Sequence, residues 1–172
     1  MSSSIYNIPN WAATTSYNKN DIVKNSNLYY YALSNFTSAS LFATDLGLNL
    51  WGGIISDNSE TKPHFFWKSS YSHTTENNPK IKKISFGDQY VQRSADGISN
   101  ILPVISLDFE SDLQECSAIL HFLTARGGWE SFVYLPPAPY NILSRWTCEK
   151  FNSTQVFYNN YKITVQFERS VV

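Results

Sequence analysis

Apolar and polar residues alternate strictly near the end of the chain. Tyr161, Ile163, Val165 and Phe167 share one face, and Lys162, Thr164, Gln166 and Glu168 share the other. A period of two predicts a half-buried antiparallel strand. The same period follows Pro103, where Ile105, Leu107 and Phe109 take one face and Val104 stands apart from them. Pro103 marks the start of that strand or a sheet edge, since proline cannot donate to a ladder. Arg145 to Phe151 predicts another strand, closed by a turn at Asn152-Ser153-Thr154. Trp129 to Leu135 contains a further strand, and Pro136-Pro137-Ala138-Pro139 stiffens its exit. Between these strands the period changes. Leu113, Cys116, Ile119, Leu120 and Leu123 recur at helical spacing and make one apolar stripe. Ser111, with Gln114 three residues on, predicts a capping box. Asp112 and Glu115 set negative charge against the helix dipole. Arg126 and Gly127 end the helix with a basic last turn and a glycine stop. His121 and Phe122 lie off the stripe, and His121, alone on a helix flank, reads as a surface or interface residue.

The first half of the chain is patterned differently. Asp21-Ile22-Val23 and Leu28 to Ala32 predict two short strands joined by a turn at Lys24 to Asn27. Trp11, Tyr17, Tyr30 and Trp51 are the other landmarks of a unit covering residues 1–56, and Ser34 to Asn49 reads as a loop. Alternation sets Tyr30 against Tyr29 and Tyr31. If Tyr30 is core, Tyr29 and Tyr31 are exposed. The polar run Ser56 to Pro63 reads as a linker, placed at residues 57–63. His64 to Lys68 opens a second unit, 64–172, as a strand, and Ser69 to Asn78 follows as a polar surface loop. His73 and Glu76 in that loop lack a third ligand at suitable spacing. At the centre of the chain, Ile81 to Phe86, the turn pair Gly87-Asp88 and the run Tyr90-Val91-Gln92-Arg93 predict a hairpin. The Lys82-Lys83 pair breaks its alternation. Asp96-Gly97 is a second turn signal.

The central hairpin also carries a resemblance. Pro79, Phe86-Gly87-Asp88, Tyr90, Gln92-Arg93 and Asp96 to Asn100 resemble the signature of the phage minor tail protein M family. Phe122 to Gly128, Phe132, Pro136-Pro137 and Trp146-Thr147-Cys148 follow in the family's order. A second resemblance covers the first unit. Trp11, the run Tyr17 to Val23, Tyr30, Ala32 and the late Trp51 resemble the small carbohydrate-binding modules of bacterial chitinases. Asn20 and Asn27 stand where those modules have glycine, a mild departure because asparagine tolerates the left-handed conformation. Two readings of the aromatics follow. Trp11, Tyr17, Tyr29, Tyr31 and Trp51 stack on sugar rings or dock to a neighbour, or Trp11, Tyr17, Tyr30 and Trp51 form the small core that so short a unit needs.

The pattern thus predicts a mainly β chain with one α-helix, a small N-terminal β module and an antiparallel β-sandwich or barrel. Composition sharpens this. The chain has 172 residues, 42% of them hydrophobic, 16% aromatic and only 16% charged. Few charges and many aromatics suit a surface buried in an assembly, as they also suit β strands. The net charge of -1 argues against nucleic-acid recognition, which needs clustered cations. Lys80 to Lys83 is the one basic run and reads as a solvated strand edge. Two cysteines, Cys116 and Cys148, make neither a disulfide scaffold nor a zinc pattern. No secretory signal is expected from the first residues, and no apolar run approaches the roughly 18 residues that span a bilayer. Phosphate loops, metal spacings and nucleophile elbows are absent from the pattern. Asp108 and Glu110 read as solvated edge residues, and Asp88 as a turn-stabilising side chain. Neither an enzyme nor a cofactor is expected.

What the resemblance implies is structural work in a virion. Family proteins form a hexameric ring at the distal end of the tail tube, with a fold akin to tail-tube and distal-tail proteins. The implied partners are copies of the chain itself, the tail tube protein and the tail-tip hub or baseplate proteins, assembled in the host cytoplasm. Polar residues in a β ribbon, where a soluble monomer would need none, make Phe86, Gly87, Asp88, Tyr90, Gln92 and Arg93 the candidate ring-contact motif. For the first unit, a host surface glycan is the alternative partner, and the alternative function is a carbohydrate-binding accessory protein.

Overall fold

The computed structural model describes residues 8–53, 62–86 and 90–171. The chain is mainly β. Its largest sheet has six strands: β6 (His64–Phe65), β7 (His73–Asn77), β10 (Pro103–Ser111), β11 (Phe132–Tyr134), β12 (Ser144–Phe157) and β13 (Asn160–Arg169). Their spatial order is β6-β11-β12-β13-β10-β7. All neighbours are antiparallel except β6 and β11.

Alternation sets the register of this sheet. Ile105 lies opposite Phe167, Leu107 opposite Val165 and Phe109 opposite Ile163. All six are buried on one face. A slip of one residue would turn the whole set to solvent, so burial fixes the pairing. Against that face packs helix α2 (Leu113–Arg126) with Cys116, Ile119, Phe122 and Leu123. Phe65 is fully buried at the centre, with rings of Phe109, Phe122, Phe132, Tyr134 and Phe167 within 5.8 Å of its own. Burying one such ring contributes about 2–3 kcal/mol.

The first part of the chain builds smaller sheets. Strands β2 (Ile22–Asn25), β3 (Leu28–Ala32) and β5 (Trp51–Gly52) form one; β1 (Ser16–Tyr17) and β4 (Phe36–Thr37) form another. Val23, Tyr30 and Ala32 face a small core with Tyr17 and Trp51. Ile22 and Tyr31 face the opposite way, into the large core beneath α2. The three-stranded sheet is therefore covered on both sides by its own chain. Asn20 and Asn27 take positive φ, 68° and 66°, the left-handed region that asparagine tolerates.

Several expectations are corrected. The helix N-cap is Asp112, whose carboxylate accepts from the Glu115 N–H at 2.9 Å, and Ser111 is the last residue of β10. Gly127 does close the helix, at φ 59°. His121 is buried, not a surface residue, because the N-terminal sheet covers a second flank of α2, and Phe122, off the expected stripe, is buried as well. Leu113, on the expected stripe, is 44% exposed. Within the expected loop from Ser34 to Asn49 lies a short helix, α1 (Phe42–Gly47). The expected polar loop after Ser69 contains β7, the sheet edge carrying His73 and Glu76. β12 does not turn at Asn152-Ser153-Thr154. It runs on to Phe157 and turns at Tyr158-Asn159, with Asn159 at φ 54°. The expected linker falls largely on residues 54–61, outside those described.

Candidate functional site

Tyr31 shows how the first unit is seated. Its hydroxyl lies 2.7 Å from His121 Nδ1, and its ring meets Trp67 edge-on at 5.0 Å. Burial raises the Tyr31 pKa, so the hydroxyl stays protonated and can donate to the imidazole. Burial, with the Arg126 charge nearby, holds His121 down at about 4. A polar seam continues along the helix. Trp67 Nε1 donates to Asn20 Oδ1 at 3.2 Å, and Gln114 Nε2 donates to Asp21 Oδ1 at 2.9 Å. Asn20 thus supplies a side-chain acceptor that glycine lacks. Gly52 completes the fit, since a Cβ there would stand 2.6 Å from a ring carbon of Phe66.

This seating decides where the candidate aromatics lie. Tyr17, Tyr31 and Trp51 are core residues with no free ring face. Trp11 is half-buried, edge-on to Phe42 at 5.5 Å, and Tyr29 is half-buried, edge-on to His121 at 4.8 Å. The five do not form an exposed platform. The expected exposure of Tyr31 is corrected because both faces of β3 are covered. Cys116 and Cys148 are buried thiols, raised by burial to about 11 and about 12, so both stay protonated and unreactive at neutral pH.

The central hairpin is the opposite case. Strands β8 (Ile81–Phe86) and β9 (Tyr90–Ala95) pair with each other in a two-stranded sheet of their own. Every residue of both six-residue strands is exposed. Ile81, Lys83 and Ser85 share one face with Ala95, Arg93 and Val91; Lys82, Ile84 and Phe86 share the other with Ser94, Gln92 and Tyr90. Of the motif residues, the structure thus brings Phe86, Tyr90 and Gln92 to one face, with the Phe86 and Tyr90 rings 6.0 Å apart, and puts Arg93 on the other. Gly87 and Asp88 lie outside the described residues. The Lys82-Lys83 pair breaks alternation because neither face of the ribbon is core.

A two-stranded ribbon with no hydrophobic backing is marginal in water. This one also leaves Ile84, Phe86, Tyr90 and Val91 at 42–69% exposure. The phage minor tail protein family matches residues 63–171, which include the ribbon, α2 and the whole six-stranded sheet. The chain belongs to that family. It is similar to the Tail tip protein M of Escherichia phage lambda, with 30% identity over 107 residues, covering 62% of this chain and 96% of that protein. A structural tail protein of a bacteriophage, and hence a virion component, is what family membership establishes.

Sequence reasoning missed part of the exposed surface beside the motif. Ile81, Lys83, Ile84 and Val91 complete the ribbon's two faces, and the broken alternation was their signal. Phe157 and Tyr158, 75% and 86% exposed at the β12–β13 turn, were hidden by the false turn at Asn152.

Proposed function

We propose that the chain assembles with copies of itself into a six-membered ring at the phage tail tip. There the ring joins the tail tube to the hub or baseplate, and the chain works as a building part with no catalytic role. The observation that carries this reading is the β8–β9 ribbon, exposed on both faces and holding the motif residues Phe86, Tyr90, Gln92 and Arg93. The likeness to a relative named Tail tip protein M supports the tail-tip position. A ribbon reaching to a different surface on the next copy makes a heterologous contact, and such contacts close into rings by rotation. The N-terminal module sits on the outside of the ring as a docking or spacer element. With Tyr17, Tyr31 and Trp51 in the core, sugar stacking has little surface to use.

Electron microscopy of tails carrying the protein tests the reading. Sixfold density between tube and hub is the expected result, and absence of the protein from particles would sink it. Arg93→Ala is expected to lower the number of complete tails.

A further inference from the structure

We propose that the cationic face of the β8–β9 ribbon seats on Glu149 and Glu168 at one end of the six-stranded sheet of a neighbouring copy. The inference rests on the ring reading above and adds the surface that receives the ribbon. Lys83 and Arg93 stand directly opposite each other across the two strands. Like charges so placed destabilise a ribbon. Among the described residues, neither cation has a carboxylate partner. An anion from outside would turn this unfavourable pair into a favourable one. Ile81 and Val91, on the same face, are 46% and 42% exposed and supply apolar contact around the charges.

The receiving surface lies on the sheet face turned away from α2. Glu168 stands opposite Val104 on β10 and Thr147 on β12. Glu149 is at the register shift between Cys148 and Lys150. With Val104, Lys150 and Gln166 they line a shallow hollow. Two carboxylates against the single Lys150 amine leave it net negative, and Glu76, opposite Val104 on β7, extends the acidic end. Among the described residues, the Glu149 and Glu168 carboxylates have no ion-pair or hydrogen-bond partner. Other outward acids of the sheet are already engaged. Asp108 pairs with Lys162 at 2.9 Å and accepts from Thr164 at 2.7 Å, and Glu110 accepts from Asn160 at 2.9 Å. Unpartnered cations and unpartnered carboxylates therefore occur on the same chain and do not meet within it.

Position favours a rotated copy as the partner. The ribbon leaves the sheet after Asn77 and returns at Pro103, and these two residues are opposite each other beside Glu76 and Val104. The ribbon's root and the carboxylates thus share one end of the sheet. Rotation about an axis keeps every residue at its own height along that axis. A ring neighbour therefore presents its Glu149 and Glu168 near the level of this ribbon's root. Lys83 lies six residues beyond Asn77, so extended chain carries it about 20 Å from the root.

The test is self-association of the full chain by sedimentation velocity. Wild type is compared with K83E/R93E, E149K/E168K and the combined K83E/R93E/E149K/E168K. Each double exchange is expected to weaken assembly about a hundredfold, and the combined exchange to restore it, as charge complementarity requires. The milder Lys83→Gln and Glu168→Gln variants, expected to weaken assembly about tenfold, keep the test open if a reversal fails to fold. Wild-type assembly that no variant weakens overturns the seat and leaves the ring standing. A wild-type chain that stays monomeric, alone and in tail particles, removes the ring and the seat together.

Discussion

Two hairpins of similar size sit at opposite extremes of burial. The β2–β3 hairpin has both faces covered by its own chain, Val23 and Tyr30 in the small core and Ile22 and Tyr31 in the large one. The β8–β9 hairpin has neither face covered. Both carry β-favouring aromatic and branched residues, so propensity does not separate them. What separates them is where their partners are. The first hairpin finds its partners in α2 and Trp67. The second carries apolar and polar groups that its own chain leaves exposed. Substitutions in the first should therefore change the stability of the single chain, and substitutions in the second should change assembly.

The largest expected effect is at Tyr31. Tyr31→Ala removes a buried ring and strands His121 without its hydrogen-bond partner, costing about 3–5 kcal/mol in urea unfolding. Tyr90→Ala, the ribbon's counterpart, is expected to cost under about 0.5 kcal/mol in the free chain. Equal losses at the two positions would erase the contrast.

Acid should weaken the first hairpin selectively. His121 is held at about 4 in the folded chain by burial and the Arg126 charge, against an ordinary value of about 6.5. Between those values the unfolded chain binds a proton that the folded chain does not. The stabilisation is therefore complete above about pH 6.5, falls as pH drops toward 4, and changes no further below that. The loss amounts to at most about 3 kcal/mol. Unfolding of wild type and His121→Gln at pH 7 and 4.5 checks this, since carboxylate protonation is common to both and cancels in the difference. Equal acid sensitivity of the two proteins is the adverse result.

Asn20 should show a smaller effect. Asn20→Ala places a Cβ-bearing residue without a local hydrogen-bonding side chain at φ 68° and removes the Trp67 acceptor, for a cost of about 2 kcal/mol. Asn20→Gly relieves the backbone and loses the Trp67 acceptor with the long Nδ2 contact to Glu115 at 3.5 Å, for about 1 kcal/mol. The smallest effect is expected from Arg93→Ala, within about 0.5 kcal/mol of wild type in thermal unfolding.

Much of the large sheet was legible because one buried face imposes strict alternation. The β13 pattern from Tyr161 to Glu168 and the Ile105, Leu107, Phe109 face of β10 are direct prints of that burial. Helix α2 was legible for the same reason, with its cap misplaced by one residue, at Ser111 where Asp112 takes that place. Legibility failed where burial is two-sided or absent. Tyr31 and His121 looked exposed because alternation assumes one wet face, and β3 and α2 each have a second buried flank. The outer half of β12 looked like a turn because an exposed strand has no reason to favour apolar residues. The ribbon motif was found through the family resemblance. Its charge arrangement emerges only when the register sets Lys83 opposite Arg93.

Ile22 and Tyr31 lie upstream of the stretch that the tail family matches, yet they pack inside that stretch's core. Shared ancestry and cooperative folding therefore draw different borders on this chain. Cutting at Pro63 would excise the recognisable part and leave Phe122, Trp67 and the His121 imidazole without their cover. The segment outside the family match thus forms a wall of the core inside it.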